Sequence, residues 1–188
     1  MIITEQLIEW GEDNGACEEG INQAKQMIGQ NVHTLNPEYR SWLMCECPDC
    51  PIDLDGVDGH ELSRVMVYRS DCPVDLESIP SYDRAWVMSE RPECPIDLEG
   101  MSPYDRALVM SGRPDCPIDL DGLTSRGRAR VMMNRKDCPI DLEGLTDRDR
   151  AWVMVERPDC PIDLEGLTFN QRALVIEHRP DYKPEATS

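Results

Sequence analysis

The stretch SPYDRALVMSGRPDCPIDLDGL, from Ser102 to Leu123, decides the fold, because nearly the same 22 residues precede and follow it. Cys50, Cys72, Cys94, Cys116, Cys138 and Cys160 lie 22 residues apart, and each is followed by proline. A fixed period of this length marks a solenoid, whose units bury their apolar faces only against their neighbours.

Position by position, the repeat predicts one short helix per unit. Asn36, Asp58, Pro80, Ser102, Thr124, Thr146 and Thr168 occupy the start position, and six of these seven are favoured N-caps. Pro37 and Pro103 then stand at the first helical position, where a missing N–H costs nothing. Three residues after the start come Glu61, Asp83, Asp105, Asp149 and Gln171, an approximate capping box. Each helix ends before the proline at Pro48, Pro92, Pro114, Pro158 or Pro180. Its apolar block, Ala85-Trp86-Val87-Met88 for example, covers most of a helix circumference and predicts neighbours on several sides. The following Cys-Pro-Ile-Asp-Leu-Glu-Gly segment is too short for a second α-helix and predicts a turn of 3₁₀ helix, reversed at Gly100, Gly122, Gly144 or Gly166.

Residues 1–35 do not fit the repeat. Thr4 can cap a helix through EQLIEW, Asn14-Gly15 reads as a stop, and a second helix is expected from Cys17 to Ile28, closed by Gly29. The expected organisation is an N-terminal helical cap (1–35), a solenoid of 22-residue repeats (36–182) and a C-terminal tail (183–188). The alternation of an Arg-x-x-Val helix with a Pro-x-x-Pro connection, here Pro92 to Pro95 and Pro114 to Pro117, resembles the leucine-rich repeat variant family over residues 36 to 182. That resemblance implies a right-handed superhelix of α and 3₁₀ helices. The fold expected is therefore an all-α, right-handed α/3₁₀ solenoid of seven repeats behind a helical cap.

Net charge is −18, from 37 acidic against 19 basic residues. Such a chain repels nucleic acid and anionic lipid, so no direct nucleic-acid or membrane partner is expected, and a protein with a basic surface is favoured. The start Met1-Ile2-Ile3-Thr4 does not read as a signal peptide and no long apolar run follows, which predicts a cytoplasmic protein.

Three acidic rows follow the period. Asp53, Asp75, Asp97, Asp119, Asp141 and Asp163 form the first; Asp55, Glu77, Glu99, Asp121, Glu143 and Glu165 form the second. A third, from Asp49 and Asp71 through Glu93, Asp115, Asp137 and Asp159 to Asp181, precedes the cysteines. Rows of like charge destabilise a compact chain by self-repulsion, so a use for them is expected. The first two rows are the candidate partner-binding residues. Duplex DNA carries a similar linear array of negative charge. The sharpest reading is thus a DNA mimic that blocks a nucleic-acid-binding host protein, of the kind a mobile element would carry. The bland reading is a solvated face kept acidic for solubility.

Two arginine rows accompany them: Arg40, Arg84, Arg106, Arg128, Arg150 and Arg172, then Arg69, Arg91, Arg113, Arg135, Arg157 and Arg179. They read either as a phosphate-binding stripe or as structural partners of the carboxylates, and the excess of acids favours pairing. The cysteine ladder reads as small buried core residues, because one thiol per repeat cannot converge on a metal. Cys17, Cys45, Cys47 and Cys50 are the alternative, a four-thiolate site of a small metalloprotein. His33, His60 and His178 are scattered, and no phosphate loop or nucleophile pattern is present, so no enzyme and no cofactor is expected. A passive scaffold or assembly subunit remains the other alternative to the acidic binder.

Overall fold

Five of the repeats begin where a short polar side chain replaces a missing backbone acceptor. The computed structural model describes residues 1–182, and the expected tail, 183–188, lies outside the described residues. Seven ten-residue helices follow one another at the repeat period: α3 (Pro37–Glu46), α4 (Gly59–Tyr68), α5 (Ser81–Glu90), α6 (Pro103–Gly112), α7 (Ser125–Asn134), α8 (Asp147–Glu156) and α9 (Phe169–His178). They are preceded by α1 (Glu5–Asp13) and α2 (Glu18–Gln26) and by a single 3₁₀ turn at Val32–Thr34. No strand is present among the described residues.

Asp58, Ser102, Thr124, Thr146 and Thr168 each accept from the backbone N–H three residues on. Asn36 makes no such bond, and Pro37 alone marks the start of α3. The full capping box forms at Thr168, whose N–H donates to Gln171 Oε1 at 2.8 Å. Asp105 and Asp149 are one carbon shorter than glutamine, and each accepts instead from its own N-cap hydroxyl at 2.8 Å. Asp149 also accepts from Ser125 on the preceding helix, as Glu61 does from Ser41. The box positions thus tether neighbouring repeats as well as capping their own helix.

Five of the connections make two separate hydrogen-bonded turns. The first closes with the cysteine N–H donating to the carbonyl three residues back, as from Cys116 to Arg113 at 3.1 Å, with Pro114 at the first corner. The second closes from Leu123 to Leu120 at 3.2 Å, with Gly122 at φ +70°. A positive φ at the second corner defines a type II turn. The expected 3₁₀ turn is therefore reduced to two isolated i→i+3 bonds. Ser78 stands where the other connections carry glycine; there no positive φ occurs, and its hydroxyl donates to Asp75 Oδ2 at 2.5 Å.

In α5 and α8 three residues of the apolar block face inward and one faces out. Ala85, Val87 and Met88 are buried, as are Ala151, Val153 and Met154, whereas Trp152 is 39% exposed. The outward position holds Arg64 and Arg130 in other repeats, which is why four consecutive apolar residues overstate the buried arc. The ladder cysteines complete each core rung, all at most 2% exposed and none in a disulfide.

The chain divides into two compact units, Met1–Val87 and Met88–Ser188. In the first, α1 packs on α2 and α3 on α4. Thr4 caps α1 as expected, and Asn14-Gly15 ends it, Gly15 taking φ +82°. The second helix is shorter than its expected span, with Cys17 as its N-cap and Met27 as its C-cap. Backbone bonds join Ile3 to Gln30 and Gly29, and Trp10 meets Trp42 with centroids 5.9 Å apart. In the second unit α6 packs on α7, α7 on α8 and α8 on α9, each against the next in sequence.

Candidate functional site

A helix leaves its last carbonyls without partners and carries partial negative charge at that end. The second arginine row meets both needs. Arg113 Nη1 donates to Met88 O, Arg91 O and Cys94 O, each at 3.0 Å, so it caps the C-terminus of α5 from the following repeat. Arg135, Arg157 and Arg179 repeat the same three contacts one period on. Arg69 reaches Met44 O, Cys47 O and Cys50 O likewise. These guanidinium groups are buried, and they are not available as a phosphate stripe.

The third acidic row completes the clamp. Arg113 Nε and Nη2 donate to the two oxygens of Asp115 at 2.8 and 2.7 Å. The same fork joins Arg69 to Asp71, Arg135 to Asp137, Arg157 to Asp159 and Arg179 to Asp181, and Arg91 Nε donates to Glu93. Arginine hydrogen bonds hold Asp115, Asp137 and Asp181 below the ordinary carboxylate range, and Asp159 down to about 2. This row is occupied by the fold.

The first row has a local task. Asp119 Oδ1 accepts from the Asp121 N–H at 3.0 Å, an Asx turn that sets up the type II turn behind it. Asp53, Asp75, Asp97, Asp141 and Asp163 make the same bond at 2.9–3.2 Å. Several also meet the first arginine row: Arg128 with Asp141 at 2.8 Å, Arg150 with Asp163 at 3.4 Å and Arg40 with Asp53 at 3.5 Å. The Ser78 hydroxyl lowers the Asp75 pKa. Burial works to raise that of Asp53, but bonds from His33 and the Asp55 N–H, with the charge of Arg40, bring it below the ordinary value.

The second row remains. Asp55, Glu99, Asp121, Glu143 and Glu165 sit at the first corner of a type II turn, Glu77 takes the matching place beside Ser78, and all six are exposed. Their backbones are engaged: Arg40 donates to Asp55 O, Arg106 to Asp121 O at 3.2 Å and Arg150 to Glu165 O at 2.7 Å. Type II turns require Gly at the second corner but no acid at the first. The arrangement thus holds a carboxylate outward at each corner on a braced backbone, without spending it on the fold. Periodicity alone could not separate this row from its two neighbours; the tetrapeptide Asp-Leu-Glu-Gly, which writes an Asx turn followed by a type II turn, was the available signal.

The thiols take no part in such a surface. Cys116, Cys138 and Cys160 donate to the next proline carbonyl at 3.4–3.6 Å, and burial raises their pKa. Burial pushes Cys45 and Cys50 up to about 11. Cys17 caps α2, its sulfur accepting from the Gly20 N–H at 3.4 Å. Among the described residues no group of three or more His, Cys, Asp or Glu is placed to hold a metal ion. The histidines are engaged locally, His33 with Asp53, His60 with Asp83 and His178 with Leu174 O.

Among the described residues, no helix is long and apolar enough to cross a membrane. No protein-family model, curated protein or solved structure matches the chain.

Proposed function

We propose that this chain is a non-enzymatic binding protein, and that the second-row carboxylates recognise a basic protein surface. One observation carries the reading. Two of the three acidic rows serve the fold, whereas Asp55, Glu77, Glu99, Asp121, Glu143 and Glu165 are exposed at turn corners whose geometry asks for no charge. With a net charge of −18, the chain repels nucleic acid and attracts the proteins that bind it. The sharper form of the proposal is mimicry of a phosphate row, with exclusion of duplex DNA from the partner.

The test compares the intact protein with a variant carrying Glu99→Gln, Asp121→Asn, Glu143→Gln and Glu165→Gln. Both serve as bait in cell lysate, and any protein retained by the first and lost by the second is purified. Its affinity is then measured at low and at physiological salt, with and without duplex DNA. A steep loss of affinity with salt and competition by DNA support the reading. Binding that ignores both salt and the four substitutions overturns it.

A further inference from the structure

Helix α7 departs from its repeat in three ways. It is the one repeat helix with no Asp or Glu, in a chain of net charge −18. At its third position, where α4, α5, α6 and α8 carry Glu61, Asp83, Asp105 and Asp149, stands Gly127, which takes no positive φ. Its second and sixth positions, one turn apart on one face, are Arg126 and Arg130, with Arg148 beside them at the second position of α8. Arg128 pairs with Asp141 at 2.8 Å, but Arg126, Arg130 and Arg148 form no ion pair among the described residues. The same two positions hold Tyr104 and Leu108 in α6 and Asn170 and Leu174 in α9, so stacking leaves them free to vary. Positions that the repeat does not fix are where a solenoid carries its function.

The three departures meet in one groove of about 380 Å³, the size of a small-molecule site. Arg126, Gly127, Arg130, Arg148 and Trp152 line it, with Tyr104 on the α6 side. Gly127 lets α7 lie close on α6, since a Cβ there would stand 3.2 Å from Ala107 Cβ, and it removes the carboxylate that this position carries elsewhere. Arg130 is held in place from α6: its Nε donates to Ser111 Oγ at 3.2 Å, and its guanidinium lies 5.9 Å from the ring centroid of Tyr104. Neither contact neutralises it. Among the described residues Asp149 is the one carboxylate in the lining, and its Oδ2 accepts from the Ser125 and Thr146 hydroxyls. Three guanidinium groups against that one carboxylate leave a surplus of two positive charges.

We propose that this groove binds a compact anion carrying a flat ring, of the nucleoside monophosphate class. Arg126 and Arg148 hold equivalent positions on neighbouring helices and offer their N–H donors to phosphate oxygens. Trp152, 39% exposed and one turn further along α8, offers its face to the ring. One helical turn is about 5.4 Å, a gap that the sugar between a phosphate and its base spans. A phosphate monoester of about −1.5 to −2 charge matches the surplus, and a single carboxylate does not. An extended polyanion is disfavoured, because outside the groove it would run against the exposed carboxylates of the turns, such as Asp121 and Glu143. A compact anion escapes them, since charges beyond about 8 Å are screened at physiological salt. The proposal is independent of the acidic-row reading: the groove arginines belong to neither arginine row, and no carboxylate of the rows takes part.

Calorimetric titration of the full chain with AMP, GMP, CMP and UMP tests it, with tryptophan fluorescence followed in parallel. The expected result is saturable binding of at least one of them at one site per chain. The matching nucleoside and inorganic phosphate should each bind at least about tenfold more weakly, because each offers half of the contacts. Replacing both Arg126 and Arg148 by alanine should weaken nucleotide binding by at least about tenfold while leaving the far-ultraviolet circular dichroism unchanged, since both side chains are exposed. Trp152→Leu should weaken the nucleotide, spare inorganic phosphate and remove the fluorescence change. The absence of binding by all four nucleotides up to about 1 mM overturns the proposal. So does inorganic phosphate binding as tightly as the nucleotide, or nucleotide binding indifferent to the two arginine substitutions. Tighter binding of poly-glutamate, lost with the same two arginines, would overturn it in favour of an acidic peptide.

Discussion

Replacing Arg113 by alanine distinguishes an internal clamp from a surface ion pair. Its Nη1 nitrogen carries two hydrogens and serves three carbonyl oxygens, those of Met88, Arg91 and Cys94, each at 3.0 Å. Two hydrogens amount to about two bonds from a charged donor, each worth about 1.5–3 kcal/mol. Arg113 is 3% exposed, so water cannot take over those carbonyls without opening the contact between repeats. The pair with Asp115 adds little, because that carboxylate side chain is 62% exposed and its charge is screened. Arg113→Ala is therefore expected to cost about 3–5 kcal/mol, whereas Asp115→Asn should cost far less. Arg113→Lys keeps the charge but not the fork, and an intermediate loss is expected.

Urea unfolding followed by circular dichroism gives the total, but a repeat array can unfold in parts. Amide exchange at Arg113 and Cys116, whose N–H groups close the helix end and the first turn, reports the local effect. Exchange there should accelerate in Arg113→Ala and stay slow in Asp115→Asn. If alanine costs less than about 1 kcal/mol, or if the two variants lose equal stability, the arginine is a surface partner and the clamp does not hold the repeats.

Neutralising the second row at Glu99, Asp121, Glu143 and Glu165 should leave the melting temperature unchanged or raise it through relief of repulsion; a marked fall would mean that these carboxylates serve the fold. By contrast Gly122→Ala, at φ +70°, should destabilise by about 1–3 kcal/mol, and Asp119→Asn should be tolerated better than Asp119→Ala because asparagine retains the acceptor for the Asp121 N–H. Arg157 holds Asp159 at about 2, below the ordinary carboxylate value, so their pairing stabilises fully above about pH 4 and is lost as the pH falls toward 2. Urea midpoints should therefore drop more steeply below about pH 4 for the intact protein than for Asp159→Asn, and parallel curves would refute the assignment. Under native conditions a thiol reagent should modify exposed Cys17 well before the buried ladder cysteines, whose raised pKa leaves little thiolate; equal rates at Cys17 and Cys116 would contradict the burial.

The features legible in the sequence are those whose physics is local. A cap and the backbone N–H that donates to it lie three residues apart, so Asp58, Ser102 and Thr146 announce their helices, and the proline after most helix ends fixes the stop. Buried cysteines follow from period and residue type alone. The second arginine row was not legible, because its carbonyl partners lie 19, 22 and 25 residues back, as for Arg113 with Cys94, Arg91 and Met88. Every row in a repeat protein has the same period, so spacing cannot say which one turns inward. A clue was present in Arg-Pro-Asp: an arginine at a helix end, stopped by proline, with a carboxylate two residues on. The connection departs from the expected 3₁₀ turn for a different reason. A glycine needing positive φ belongs to a type II turn, and a 3₁₀ helix has no place for it.

The distinction among the acidic rows bears on how a partner must bind. Near physiological ionic strength the screening length is about 8 Å, so an exposed carboxylate acts on what touches it and little beyond. The third row, from Asp71 on, lies against arginines and presents nearly neutral pairs, whereas the first row accepts backbone N–H groups but keeps its charge and is exposed at Asp75, Asp97, Asp119, Asp141 and Asp163. A basic surface approaching the turns would therefore meet the second row together with exposed first-row carboxylates such as Asp119. Affinity should then depend on how many corner carboxylates are in contact and very little on the net charge of −18. Removing four charges from the third-row positions and removing four from the second row change the net charge equally. If both changes weakened partner binding to the same degree, long-range attraction would explain the binding, and the turn corners would have no special part in it.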